Sequence, residues 1–164
     1  MDYAKINEIV LEQEKALRFE HFSHKDAWEL GQFLVKRIYD NNIELAVSIR
    51  KMGGYILFQY GTEETNLNNQ HWMNRKFNTV KMMERSSFGV WASAGMIGQG
   101  IEEHGLSASE YAFCGGGFPI CLTSGEIVGV LIVSNLPHEQ DHQFIIDALQ
   151  EYLDVKVPSV EWEA

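Results

Sequence analysis

The chain is poor in proline, cysteine and positive charge. Of its 164 residues 3 are Pro and 2 are Cys, and Lys plus Arg number 13 against 23 Asp plus Glu. Two thiols do not make a secreted disulfide framework. Cys114 and Cys121 lie in apolar, Gly-rich surroundings and read as small buried hydrophobes. A formal charge of −10 repels phosphate backbones and anionic bilayers, which argues against nucleic-acid and membrane partners. No run approaches the ~18 apolar residues of a membrane span. Met1–Glu20 mixes charge and apolar residues without the apolar core of a signal peptide. Fourteen Gly without a G-x-y period exclude collagen, and 45% hydrophobic residues exclude disorder along the whole chain. A domain of this length buries about 70% of its unfolded surface and needs no staple. The expectation is one soluble domain, residues 1–154, of a reducing cytoplasm. An acidic tail, residues 155–164, completes it. From His138 onward seven acids face one base, Lys156.

Hydrophobic spacing gives the elements. Residues 2–20 carry a broadly helical pattern. Ser23 with Asp26 three residues on predicts a capping box, followed by a helix with Ala27, Leu30, Leu34 and Ile38 on one stripe. The period then changes to alternation over Leu45, Val47 and Ile49, a half-buried strand, with a hairpin turn at Gly53-Gly54 and a return over Tyr55–Tyr60. Asn residues ending the loop 62–69 predict a cap for a helix from about His71 to Arg85. Ser86–Ile101 has no charged residue and many small ones, a buried weak helix or loop. Phe118–Leu122 and Ile127–Val133 read as a second hairpin. The latter is apolar throughout and therefore covered on both faces. A last helix opens after Pro137. The sum is α+β, an antiparallel sheet between two helical layers.

Four motifs bear on chemistry. His138-Glu139-Gln140-Asp141-His142 matches HExxH, yet Pro137 places it at a first helical turn and no third ligand follows, so helix-start chemistry is the better reading. Gly115-Gly116-Gly117 lacks the Lys-Ser/Thr of a phosphate loop. It suits close backbone packing or a ligand at exposed N–H groups. His71, Trp72, Arg75 and Lys76 cluster at a helix start, with Lys76 placed to lie on Trp72. No fixed spacing pairs Cys114 with a His, and no G-x-S-x-G elbow is present.

Taken in order, Asn69-x-x-Trp72-x-x-Arg75-Lys76, Ser86-Ser87, Gly116-Gly117-Phe118-Pro119-Ile120, Gly125-x-x-x-Gly129, Val133-Ser134-x-Leu136-Pro137 and Asp141-His142 resemble the UPF0303 family. That family is similar to the wider group of haem-degrading, GlcG-like and HbpS-like domains. The resemblance covers about Phe22 to Leu153. It implies a profilin-like three-layer α/β/α fold with a five-stranded antiparallel sheet, and a homo-oligomer. Two positions depart from the family pattern: Asn68-Asn69 stands for Asp-Asn, and Asn135 stands for Gly after Val133-Ser134. Asn tolerates left-handed backbone, so the turn is expected to survive.

The resulting expectation is a small-ligand-binding domain. Its pocket would lie between the Trp72–Lys76 helix start, the Gly115–Pro119 segment and the Asp141-His142 turn. By resemblance the ligand is haem or another anionic, partly apolar molecule. His71 or His142 would then be axial ligands, and Arg75 and Lys76 anion clamps. Gly116, Gly117, Phe118, Pro119 and Asp141 complete the candidate set. The alternatives are a non-catalytic assembly protein, using its acidic tail or its small-residue segment to bind a partner, and an enzyme degrading haem. The latter lacks a convincing acid–base pair.

Overall fold

A computed structural model describes residues 1–162. The helices are α1 (Tyr3–Ala16), α2 (His24–Asp40), α3 (Leu67–Met83), α4 (Ser87–Met96) and α5 (His138–Leu153). The strands are β1 (Ala46–Lys51), β2 (Ile56–Gly61), β3 (Gly117–Cys121) and β4 (Ile127–Ser134). All neighbours are antiparallel, in the order β2-β1-β4-β3.

Each element begins where local chemistry starts it. Ser23 and Asp26 form the expected capping box on α2, with Asp26 N donating to Ser23 Oγ at 3.1 Å and Ser23 N to Asp26 Oδ2 at 2.7 Å. Gly54 turns the first hairpin with φ 97°. α3 starts earlier than the sequence suggested. Asn66, not Asn69, is the cap: Asn66 Oδ1 accepts from Asn68 N at 3.0 Å, and Asn69 Oδ1 accepts from Asn66 N at 2.9 Å. Asn69 therefore sits inside the first turn.

The sheet separates two apolar layers. Val47, Ile49, Phe118, Ile120, Leu131 and Val133 pack against α2 and α5. Ala46, Val130 and Ile132 pack against Met73, Phe77 and Val80 of α3. β1 is thus buried on both faces rather than half-buried, because α3 lies over its second face. β4 occupies the centre, between β1 and β3, as a strand without polar alternation requires. α1 and α4 pack on each other through Ile6, Val10, Phe88 and Ala92.

The sheet has four strands, not the expected five. Beside β3, where a fifth would pair, the chain makes one isolated bridge, Phe19 to Leu122. Phe19 N donates to Cys121 O at 2.9 Å and Thr123 N donates to Phe19 O at 2.8 Å. Between the end of α1 at Ala16 and the start of α2 at His24 the chain meets the sheet only at Phe19 and then turns into the Ser23 cap, so no ladder extends along β3.

The terminal segment is not loose as far as residue 162. Val157 N donates to Gln150 Oε1, Gln13 Nε2 donates to Pro158 O at 2.8 Å, and Trp162 stands edge-on to Phe88. Residues 163–164 of the expected tail lie outside the described residues. Among the described residues no helix is long and apolar enough to cross a membrane.

Candidate functional site

α3 places Met73, Phe77 and Val80 on the sheet, which brings Lys76 to the same buried side. A buried ammonium needs a partner and full hydrogen bonding. Lys76 Nζ finds Val133 O at 2.9 Å and Asp141 Oδ2 at 2.9 Å. The two side chains are 3% and 2% exposed. Asp141 Oδ1 accepts from Leu136 N at 3.1 Å, which fixes the turn between β4 and α5. Burial pushes the Asp141 carboxyl up to about 6, outweighing the pull of Lys76 toward the charged form. Gly116 makes room for the pair: it has φ 124°, and a Cβ there would stand 2.6 Å from both Lys76 Nζ and Val133 O.

Above this pair opens a hollow of about 410 Å³. Trp72, Cys114, Asn135 and His138 line it with Lys76 and Asp141, and Asn68, Asn69, Ser134 and Leu136 close it. Its polar wall is bonded inward. Asn69 Nδ2 reaches Asn135 Oδ1 at 3.2 Å, and Asn135 Nδ2 donates to Glu44 O at 3.1 Å. These bonds hold Asn135 at φ 146°, a backbone region that favours glycine, as its substitution for the family Gly foreshadowed. Gly115 N donates to His138 Nδ1 at 3.0 Å. Burial lowers the His138 pKa, with Glu139 opposing and Lys76 assisting. Burial raises the Cys114 pKa against the pull of Lys76. The hollow therefore offers a neutral imidazole and a thiol rather than ions.

The structure brings some of the expected residues together and separates others. Trp72, Lys76 and Asp141 line one hollow, with Gly116 directly against Lys76. Arg75 stacks on Trp72, its Cζ 4.2 Å from the ring centroid. The sequence assigned that place to Lys76, which Asp141 instead draws inward. Gly117, Phe118 and Pro119 are buried in β3, and Gly117 N is spent on Ser87 Oγ at 2.9 Å. His71 is exposed on α3 and lines no part of the hollow. His142 is 2% exposed, stacked on Phe88 at 4.5 Å, with Nε2 bonded to Gln13 Oε1 at 2.8 Å. The HExxH spacing does not build a metal centre. Among the described residues no group of three or more His, Cys, Asp or Glu is placed to hold one. Residues the sequence did not single out for this wall are Asn68, Ser134, Leu136, Cys114 and His138. The family motifs containing Asn68, Ser134 and Leu136, the His138–His142 pattern and the Gly triplet beside Cys114 marked their neighbourhood without assigning them to the wall.

Burial lowers the His142 pKa from 6.5 to about 3. Between those values the unfolded chain holds the extra proton, so stability falls on acidification, by at most about 1.4 kcal/mol per pH unit. Asp141 acts in the opposite sense. Its native pKa of about 6 against a model-compound 3.8 adds stability as pH falls through about 6. Between about pH 7 and pH 5 the two largely offset each other, the His142 effect staying slightly ahead because its unfolded imidazole takes up a proton near 6.5. Thermal melts across that range will show a small fall in Tm, and His142→Phe, which keeps the stacked ring and leaves Asp141 unopposed, will show no fall or a rise. An equal fall in both proteins would contradict this assignment.

A family model described as "Haem degrading protein HbpS-like" matches residues 22–150. A UPF0303 protein of Paraburkholderia phymatum is 34% identical over 154 residues, covering 93% of each chain. Among solved structures, the Ybr137w protein superposes with a TM-score of 0.84 at 27% identity, over 90% of this chain and 88% of that one. A structure titled as a PduOC:Heme complex superposes with a TM-score of 0.65 at 19% identity, over 85% and 99%, a likeness of fold. The chain therefore belongs to the HbpS-like family and, within it, to the UPF0303 proteins.

Proposed function

We propose that the chain is a small-ligand-binding domain whose site is the hollow beside the Lys76–Asp141 pair. The observation that carries this reading is the lining itself. One aromatic wall, Trp72, faces amide, hydroxyl and imidazole groups from two other segments, in a space of about 410 Å³. That volume falls within the ~300–1,000 Å³ of small-molecule sites. Arg75, stacked on Trp72, has a buried Nε without a hydrogen-bond partner among the described residues. It is the cation available to a ligand, because Lys76 is already neutralised by Asp141. The ligand this set favours is a compact, flat anion lying against Trp72.

Haem, present in the PduOC complex that shares this fold, does not fit these residues as a histidine-ligated group. With Nδ1 of His138 accepting from Gly115 N, the neutral ring carries its proton on Nε2 and has no lone pair free for a metal. His142 is sealed under Phe88 and His71 stands outside the hollow. The haem-degrading reading lacks a histidine placed to hold the iron in this hollow.

A second reading, self-association, is favoured by the outer strand. Ile56–Gly61 carries no charged residue, and Trp28, Tyr55, Ile56 and Tyr60 are exposed beside it. An uncharged open edge invites pairing with another copy.

The ligand is tested with sodium benzoate as probe, followed by amide and indole shifts in NMR spectra. Shifts are expected at Trp72, Asn135 and His138, with binding weakened about three- to ten-fold in Trp72→Leu for the loss of a stacking contact. Shifts elsewhere only would contradict the site. Haemin is expected to give no histidine-ligated Soret band, and such a band lost in His138→Ala would restore the haem reading. Self-association is tested by sedimentation: Ile56→Lys is expected to shift an oligomer toward monomer, and a wild-type monomer would reject it.

A further inference from the structure

A second cleft, of about 690 Å³, shares no lining residue with the hollow. It lies where the sheet stops short. The chain leaves α1, touches β3 once through Phe19, and turns to the Ser23 cap, so the end of β3 has space beside it in place of a further strand. Phe19, Tyr152, Leu153 and Val155 give the cleft an apolar side that belongs to the main core. Lys15 and Arg18 give it a cationic side.

Two cations and two carboxylates, Glu20 and Asp26, line the cleft, but they are not paired with one another. Neither Lys15 nor Arg18 is in an ion pair among the described residues. Arg18 Nε is shut away from water without a hydrogen-bond partner among those residues. A buried donor without a partner is unfavourable, and an incoming acceptor relieves it. Neither neighbouring carboxylate, Glu20 or Asp26, is within ion-pair distance of Arg18. Asp26 Oδ2 is occupied by Ser23 N at 2.7 Å, Ser23 Oγ at 3.0 Å and His21 Nδ1 at 2.9 Å. Glu20 is exposed at the rim.

We infer that this cleft binds a monocarboxylate carried on a short apolar chain. The headgroup sits on the Arg18 guanidinium with Lys15 beside it, and the chain lies along Phe19, Tyr152, Leu153 and Val155. A guanidinium presents paired N–H donors that match a carboxylate. The apolar side contributes through burial and selects against a bare inorganic anion. The cleft is large enough for a medium-length chain and too small for a folded partner.

The test is calorimetric titration of the full chain with octanoate, with octanol and inorganic phosphate as controls. Octanoate is expected to bind one site, at least ten-fold more tightly than either control. Arg18→Met keeps the aliphatic stem and removes the donors. It is expected to weaken octanoate ten-fold or more with an unchanged circular dichroism spectrum. Should that variant misfold, Leu153→Asn is read instead, with a loss of similar size expected from the apolar side. Trp72→Leu, which alters the other hollow, is expected to leave octanoate binding unchanged. The inference is overturned if octanoate does not bind, if phosphate binds as well, or if Arg18→Met binds like the wild type. It is equally overturned if Trp72→Leu abolishes binding, which would place the ligand in the hollow.

Discussion

One buried ion pair holds three distant parts of the chain in register. Lys76 comes from the middle of α3, Asp141 from the first turn of α5, and the third partner, Val133 O, from the end of β4. The other carboxylate oxygen of Asp141 fixes Leu136 N in the turn between β4 and α5. Gly116 leaves the space in which the ammonium sits. Pulling two charges out of water is costly, and such a pair is repaid only when its geometry is good and its remaining donors and acceptors are met. Here they largely are. The pair is therefore better understood as fixing the position of the site than as adding net stability.

The same burial sets the chemistry of the hollow. Cations and carboxylates at its base cancel, while desolvation keeps His138 neutral and Cys114 a thiol. The hollow presents uncharged polar groups beside the Trp72 ring, and Arg75, outside its lining, stacks on that ring.

Local signals were legible and long-range ones were not. The capping box at Ser23 and Asp26, the Gly53-Gly54 turn and the two-faced burial of β4 each follow from residues a few positions apart. The motif order also placed Trp72, Lys76, Gly116 and Asp141 in one neighbourhood before any coordinates. The failures share a cause. Lys76 was expected on Trp72 at i, i+4, but a carboxylate 65 positions away competes more strongly than a neighbouring ring. His142 was expected to face a ligand, but Gln13, 129 positions away, and Phe88 enclose it. The helix cap fell on Asn66 because three Asn within four positions compete, and the capping box needs an acceptor three residues on. The fifth strand is absent because the segment after α1 meets the sheet edge at Phe19 alone before turning into α2. No periodicity reveals any of these, since each depends on where another segment lands.

The most direct measurement of the central claim is a double-mutant cycle on Lys76→Met and Asp141→Leu, read by urea unfolding. Each single variant leaves a buried charge without its partner and is expected to cost about 3–5 kcal/mol. The double variant, with an apolar pair of similar volume, is expected to recover most of that loss, while the hollow loses its benzoate response because its base has changed. Additive losses, with no coupling between the two positions, would contradict the account and reduce Lys76 and Asp141 to independent buried residues.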